Sequence, residues 1–220
     1  YPPPLAPRDL TVAVPERVEP QGVTIPLTPE GADMVAEHVA ELKPDIVAVL
    51  LLHSYRDNRH EHLVRGAIRR RMPDVDVVLS NEVFPEIREY ERASTTVAEA
   101  YLRPGVARYL KNLQYRLTNR PTDRPNALGV MTSSGGMRTI DEASRGAAQL
   151  ALSGPAGGVV GAAAVARALK IERALTIDIG GTRADVGLVV DGEPMVEPGG
   201  TVADVPIAMP RVLVETVSAG

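Results

Sequence analysis

Cysteine is missing from all 220 residues, which excludes a disulfide framework and thiolate chemistry and fits a reducing compartment. Also missing is any run of about 18 apolar residues, the length a helix needs to span a bilayer. Neither sign of charge is in excess: 24 basic against 28 acidic residues leave a net charge of -4. That balance gives no ground for a nucleic-acid surface or a polybasic membrane anchor. The chain opens on Tyr1-Pro2-Pro3-Pro4 with neither an initiator Met nor a signal-peptide pattern, and it contains no internal repeat. The expectation is a soluble, cytoplasmic protein that binds neither nucleic acid nor membrane. Its 44% hydrophobic content suffices for one sizeable core or two small ones, domains running to roughly 100–200 residues.

What is present alternates between strand and helix signals. Residues 1–29 are Pro-rich and read as an extended linker with edge strands such as Leu10–Val14. Glu30–Leu42 carries Met34, Val35, Val39 and Leu42 at helical spacing, and Ile46–Leu52 is an unbroken apolar run suited to a strand buried on both faces. Asn58–Met72 reads as a helix stopped by Pro73, and Val75–Leu79 as a second strand. Strand, helix, strand is the crossover unit of a parallel sheet. Glu86–Leu117 is helical by composition and is expected to break into two helices at Pro104. Thr118–Asn126 is a polar loop and a boundary between lobes. Leu128–Met131 predicts a strand emptying into Thr132–Gly136, and Asp141–Leu150 a short helix. Ser153–Gly158 is read as a Gly-rich loop opening an Ala-rich helix, Val159–Leu169. Ala174–Ile179 and Val186–Val190 are strands joined through Gly180–Asp185, followed by an Asp191-Gly192 turn. The far end, Val214–Gly220, stops as a strand-like run enters a Gly turn. Both ends read as cuts through a larger enzyme.

The sharpest constellation is Asp178-Ile179-Gly180-Gly181-Thr182. Successive glycines remove Cβ atoms, so backbone N–H groups can turn toward an anion and phosphate oxygens can come close. Thr182 adds a hydroxyl. Asp178 would then face a Mg²⁺ bridging the phosphates, mostly through water because magnesium dehydrates reluctantly, and Asp185 would hold a second water. The same residues also fit an ordinary hairpin in which Gly-Gly supplies positive φ and Asp178 caps the turn. Ser153–Gly158, with Gly157 and Gly158, is a second anion-friendly segment at a helix N-terminus, although close helix packing explains its glycines equally well. Arg88 and Arg92 lie four apart on a helix, either on a solvated face laced with ion pairs or in a cleft. His60 and His62 point in different directions on a helix, which disfavours a metal site built with His53. Ser133 and Ser134 have no partner base nearby, so no nucleophile is assigned.

Seven ordered stretches together resemble the hydantoinase A/oxoprolinase family of ATP-dependent cyclic-amide hydrolases and related carboxylase subunits. They are Pro15–Val18 through Leu27, Leu51–Tyr55 with His60-Glu61, Arg88–Arg92 with Ser94–Thr96, Ala100–Pro104, Ser133–Gly136, Ser153–Gly161 and Asp178–Asp185. The resemblance implies an α/β fold of the actin, sugar-kinase and heat-shock-chaperone type (ribonuclease H-like), present here in part. Residues 1–84 would be the last part of the family's N-terminal region and 85–220 the first part of its main domain. It further implies ATP and Mg²⁺ as cofactors, with Asp178 facing the metal and Gly180, Gly181, Thr182, Asp185, Gly157 and Gly158 at the nucleotide. The implied substrate is a small cyclic amide such as a hydantoin, N-methylhydantoin or 5-oxoproline, opened through a phosphorylated intermediate, with a hydantoinase B-like second subunit as partner. The catalytic base is not identified, and the 220-residue piece is expected to be inactive alone. An acetone or acetophenone carboxylase-type subunit and a non-catalytic nucleotide-binding scaffold are the alternatives. Two departures stand out. Arg183-Ala184 occupies the place of two hydroxyl residues in the family's Gly-Gly-Thr-Ser-Thr-Asp, and Glu99 stands where the family usually has Asn.

Overall fold

The structure, a computed structural model, describes residues 5–118, 128–181 and 183–218. The chain divides into two compact units, one of residues 1–104 with 201–208, the other of residues 105–200 with 209–220.

In the first unit a short antiparallel hairpin, β1 (Arg17–Glu19) and β2 (Gly22–Ile25), precedes helix α1 (Pro29–Glu41). The predicted strand at Leu10–Val14 is absent, and Arg8–Leu10 forms a 3-10 turn instead. Helix α1 starts where the sequence allows: Thr28 Oγ1 accepts the Gly31 N–H at 3.1 Å and Pro29 holds the first helical position. Its buried face is Ala32, Val35, Ala36 and Val39, while Met34 is 59% exposed, so two alanines rather than Met34 meet the core. Strand β3 (Ile46–Val49), helix α2 (Arg59–Arg71) and strand β4 (Asp76–Leu79) form the expected crossover, with β3 and β4 parallel and Ile46 opposite Asp76. β3 is shorter than its apolar run, because Leu51 and the residues after it turn away into a polar cluster. Val35, Val39, Val64, Ile68, Val77 and Leu79 make the core of this unit.

Buried His60 pins the segment ahead of α1. Its Nε2 accepts the Leu27 N–H at 3.1 Å and its Nδ1 lies 2.7 Å from Glu16 Oε2. A backbone N–H only donates, so the ring proton sits on Nδ1 and is given to Glu16.

A short helix α3 (Ser80–Val83) leads to α4 (Glu89–Thr118), which begins in the first unit and ends in the second. α4 runs unbroken through Pro104, contrary to the two helices expected. Proline removes one N–H and therefore one i→i−4 bond, and the bonds on either side carry the helix across the gap. Of the polar loop expected at Thr118–Asn126, all but Thr118 lies outside the described residues.

The second unit continues with the hairpin β5 (Gly129–Met131) and β6 (Met137–Thr139), then α5 (Ile140–Arg145). Thr139 and Glu142 form a capping box that starts α5, and non-helical Gly146 ends it, splitting the single helix expected over Asp141–Leu150, whose remainder is a 3-10 turn at Ala147–Leu150. Helix α6 (Ser153–Leu169) begins at Ser153 itself, so the expected glycine loop is its first turn and a half. β7 (Arg173–Ile179) and β8 (Arg183–Val190) pair antiparallel from Arg173 opposite Val190 to Ile179 opposite Ala184. Both strands are longer than predicted, β7 ending at Ile179 and β8 starting at Arg183. Asp191 and Gly192, at φ 53° and 76°, make the predicted two-residue turn into β9 (Glu193–Pro194). β10 (Val196–Glu197) follows. β11 (Gly200–Val202) and β12 (Val205–Ile207) carry the chain through the first unit, where the Ala208 N–H donates to Thr95 Oγ1 at 2.9 Å. β13 (Arg211–Val212) pairs with β10, and β14 (Val214–Ser218) with β8, giving the sheet order β14-β8-β7. Ala156, Val159, Ala163 and Ala166 of α6 pack on Val189, Val212 and Ala174. No helix among the described residues is long and apolar enough to cross a membrane.

Candidate functional site

Side chains alternate across a strand. Ala174 of β7 and Val189 of β8 pack under α6, so Thr176 and Asp178, with Asp185 and Gly187, share that face. Asp178 stands directly opposite Asp185, and Asp185 directly opposite Thr216 of β14. The Thr216 hydroxyl donates to Asp185 Oδ1 at 2.6 Å. The result is one rung of two carboxylates and a hydroxyl across three strands. Like charges facing each other across a ladder are unfavourable, yet no Lys, Arg or His among the described residues forms an ion pair with either aspartate.

Helix α6 reaches the start of β7 through residues 170–172 and so runs back along the strand, bringing its first residues to the end that carries Asp178. A cavity of about 500 Å³ between them is lined by Pro155, Gly158, Val159 and Ala162 of the helix and by Asp178 and Asp185 of the hairpin. Gly157 and Gly158 lie within α6, so their N–H groups are spent on helix bonds. Gly158 instead offers bare surface, since a Cβ there would touch nothing within 4 Å. The amides ahead of any intrahelical partner are those of Ser153 and Gly154, at the start of the segment read as anion-friendly. The Leu152 N–H donates to Ser133 Oγ at 3.1 Å, making buried Ser133 a structural anchor for the helix start.

Gly180 and Gly181 are absent from the glycines with positive φ, and a Cβ on Gly181 would meet nothing while one on Gly180 would lie 3.5 Å from the Arg183 carbonyl. Turn conformation and packing therefore leave these two glycines unexplained. What they do provide is backbone open to close approach. Gly180 N–H donates to Arg183 O at 2.9 Å. Thr182 lies outside the described residues. Two carboxylates and a hydroxyl are hard oxygen donors that suit Mg²⁺, with water and phosphate oxygens completing its shell. The described residues contain no group of three or more His, Cys, Asp or Glu side chains placed to hold a metal by themselves.

The paired arginines have opposite fates. Arg88 is exposed with φ 79°, and Arg92 is completely buried, where desolvation lowers its pKa against the pull of Glu61. Neither the solvated ion-pair face nor the open cleft describes both. His60 is buried and His62 exposed, as their spacing requires.

The molecule is thus an α/β chain with an acidic rung at a hairpin end. Residues 92–220 match the family Hydantoinase/oxoprolinase, and residues 2–72 match the Hydantoinase/oxoprolinase N-terminal region. The chain belongs to the hydantoinase/oxoprolinase family. It is 31% identical to the caprolactamase subunit alpha of Pseudomonas jessenii, covering 100% of this chain and 32% of that one. It is likewise 31% identical to the acetone carboxylase beta subunit of Xanthobacter autotrophicus, covering 100% and 31%. It is 34% identical to the 5-oxoprolinase of Saccharomyces cerevisiae over 79% of this chain and 13% of that protein. Among solved structures, nucleotide-free acetone carboxylase superposes with a TM-score of 0.87 at 30% identity, and the ATP-dependent caprolactamase of Pseudomonas jessenii with 0.83 at 28%. Each match covers all of this chain and about a third of the solved one (31% and 32%).

Proposed function

We propose that this chain is part of a subunit that opens a small cyclic amide at the expense of ATP, with the β7–β8 hairpin holding the phosphates. The observation that carries the reading is the Asp178–Asp185 rung, an uncompensated pair of carboxylates beside two glycines that neither packing nor turn geometry requires. In this reading Gly180, Gly181 and Thr182 take phosphate oxygens, and Asp178 orients the waters of a Mg²⁺ with Asp185 in support. Gly157 and Gly158 leave room along α6, whose Ser153 and Gly154 amides add donors. The metal, when bound, supplies charge neutralisation on the phosphates. Transfer of the γ-phosphoryl group to the amide oxygen releases ADP. Water then adds at the carbon, the C–N bond breaks with the nitrogen leaving as the amine, and a second water hydrolyses the resulting acyl phosphate to carboxylate and phosphate. The actin-like architecture, the division into an N-terminal region to Phe84 and a main domain after it, a second subunit and a cytoplasmic setting belong to the same proposal. The subunit names of the caprolactamase and acetone carboxylase relatives support the partner.

A carboxylase-type subunit is the second reading, consistent with the likeness to acetone carboxylase. Calorimetric titration of Mg-ATP into the full-length protein tests the phosphate site. Saturable binding in the wild type and its loss in Asp178→Ala are expected, and equal binding in both would reduce the hairpin to a structural element. Product analysis with and without bicarbonate then separates hydrolysis from carboxylation.

A further inference from the structure

From Ala100 to Thr118 the chain carries the basic residues Arg103, Arg108, Lys111 and Arg116 and no acidic one, although its net charge over 220 residues is -4. This stretch belongs to α4, and from Gly105 onward it lies in the second unit. With a turn of about 100° per residue, its apolar side chains fall on one side of the helix. Val106 and Leu110 pack with Ile140, Ala143 and Val130, and Leu113 and Leu117 continue the same stripe, half-buried. The opposite side is centred on Asn112. Arg108, Tyr109, Tyr115 and Arg116 stand three and four residues before and after it, within about 60° of its direction, so the five share one face. All five are exposed, Tyr109 and Tyr115 at 65% and 71%, and exposed Lys111 flanks them.

Solvation alone does not account for this composition. A helix face that only meets water is stabilised by opposite charges three and four residues apart. Here Arg108, Lys111 and Arg116 have no acidic residue on α4 after Glu99 to pair with, and they form no ion pair among the described residues. Arg108 and Lys111, three apart, repel each other. Tyrosine is a weaker helix former than the Gln, Glu or Lys that suit a solvated position, and each ring leaves in water an apolar body that burial would remove from it. Tyrosine and arginine are, by contrast, the side chains enriched at the centres of protein interfaces.

We infer that this face of α4 is the docking surface for a second protein subunit, one that presents carboxylates to it. Charge decides the partner. Two guanidiniums and an ammonium around two aromatic rings complement an acidic surface, because an arginine fork matches a carboxylate and a tyrosine hydroxyl donates to one. Three cations are few for a nucleic acid, whose binding proteins neutralise about six to ten phosphates. The face also lacks the aliphatic side chains with which a surface helix enters a bilayer. The face follows from geometry and charge; that its occupant is a second subunit of the same enzyme rests on the proposed function.

The test is carbodiimide coupling, which joins an amine to a carboxylate in direct contact, applied to the enzyme purified through a tag on the full-length subunit and read by mass spectrometry. Lys111 supplies the amine, and the other lysines of residues 1–220, Lys43 and Lys170, lie on different segments. Lys111 should be joined to an Asp or Glu of a different polypeptide. The dissociation constant of the complex should rise about tenfold in Tyr115→Ala and further in the double variant Arg108→Glu with Arg116→Glu, and it should rise with added salt. Because these positions are exposed, far-UV circular dichroism and Mg-ATP affinity should stay as in the wild type, which separates lost docking from lost folding. Coupling of Lys111 only within its own chain or to another copy of it would overturn the proposal. So would a complex indifferent to both variants, a full-length subunit that purifies with no second polypeptide, or RNA in place of protein as the charge-dependent partner. Failure of the wild type to bind Mg-ATP, with Lys111 still coupled to a second polypeptide, would count against the hairpin reading only.

Discussion

Asp57 shows how one side chain can set an acid limit on local stability. Its carboxylate accepts the Arg59 N–H at 3.2 Å and grips the Arg59 guanidinium at 2.6 and 2.9 Å, just ahead of α2. The side-chain bonds to Arg59 are the main reason that its pKa falls from 3.8 to about 2. A carboxyl depressed in the folded state contributes stability that is complete above its unfolded pKa and is lost as pH falls through the folded one. Asp57→Asn should therefore lower the melting temperature at pH 5–7, and the difference from wild type should shrink between about pH 4 and pH 2. A deficit constant across that range would mean that the pair with Arg59 contributes nothing in solution. At this scale the sequence was legible where chemistry is local. Asp178, Gly180 and Gly181 announce themselves by adjacency, and the divergence of His60 and His62 follows from a 100° step per residue. Thr216 and the burial of Arg92 were not legible, because each depends on a partner 31 or 38 residues away, Asp185 and Ser54.

At the scale of elements, the contact of α6 with the sheet depends on Gly187. A Cβ at this position would run into Val159 Cγ2 and Thr176 Oγ1. Gly187→Ala should destabilise the second unit by about 1–3 kcal/mol, the usual cost of overpacking a filled interface, measured by urea unfolding of the full-length protein. An unchanged midpoint would show that α6 can lift off the sheet freely. Periodicity located α1, α2, β4 and the β7–β8 hairpin to within a few residues, since their apolar faces repeat at 3.6 or 2. It misplaced the start of α6 because glycine and proline read as loop, although both are tolerated in a first helical turn whose amides have no partner to lose. It broke α4 at Pro104 because one missing hydrogen bond is weighed more heavily in a window of sequence than in a helix of 30 residues.

For the whole molecule the outstanding feature is the far side of the β7–β8–β14 sheet. Leu175, Ile177 and Ile179 are 71%, 65% and 74% exposed on one face of β7, which is also the last strand of the order β14-β8-β7. An apolar strand at an open edge is a site for association. The 220-residue chain on its own should self-associate at micromolar concentration, and Ile177→Lys should reduce this, as read by light scattering. A monodisperse, monomeric wild-type chain would refute it. The α/β class and a crossover in the first unit were readable from alternating signals, but the division into units was not. Residues 201–208 return to the first unit through contacts such as Ala208 with Thr95, which no local pattern encodes.

The Asp178–Asp185 rung has a thermodynamic corollary. Two facing carboxylates repel in the folded hairpin and are far apart in the unfolded chain, so a cation that bridges them binds the folded state preferentially. Occupancy and stability of the second unit are then one linked quantity, and the hairpin is at its weakest when it is empty.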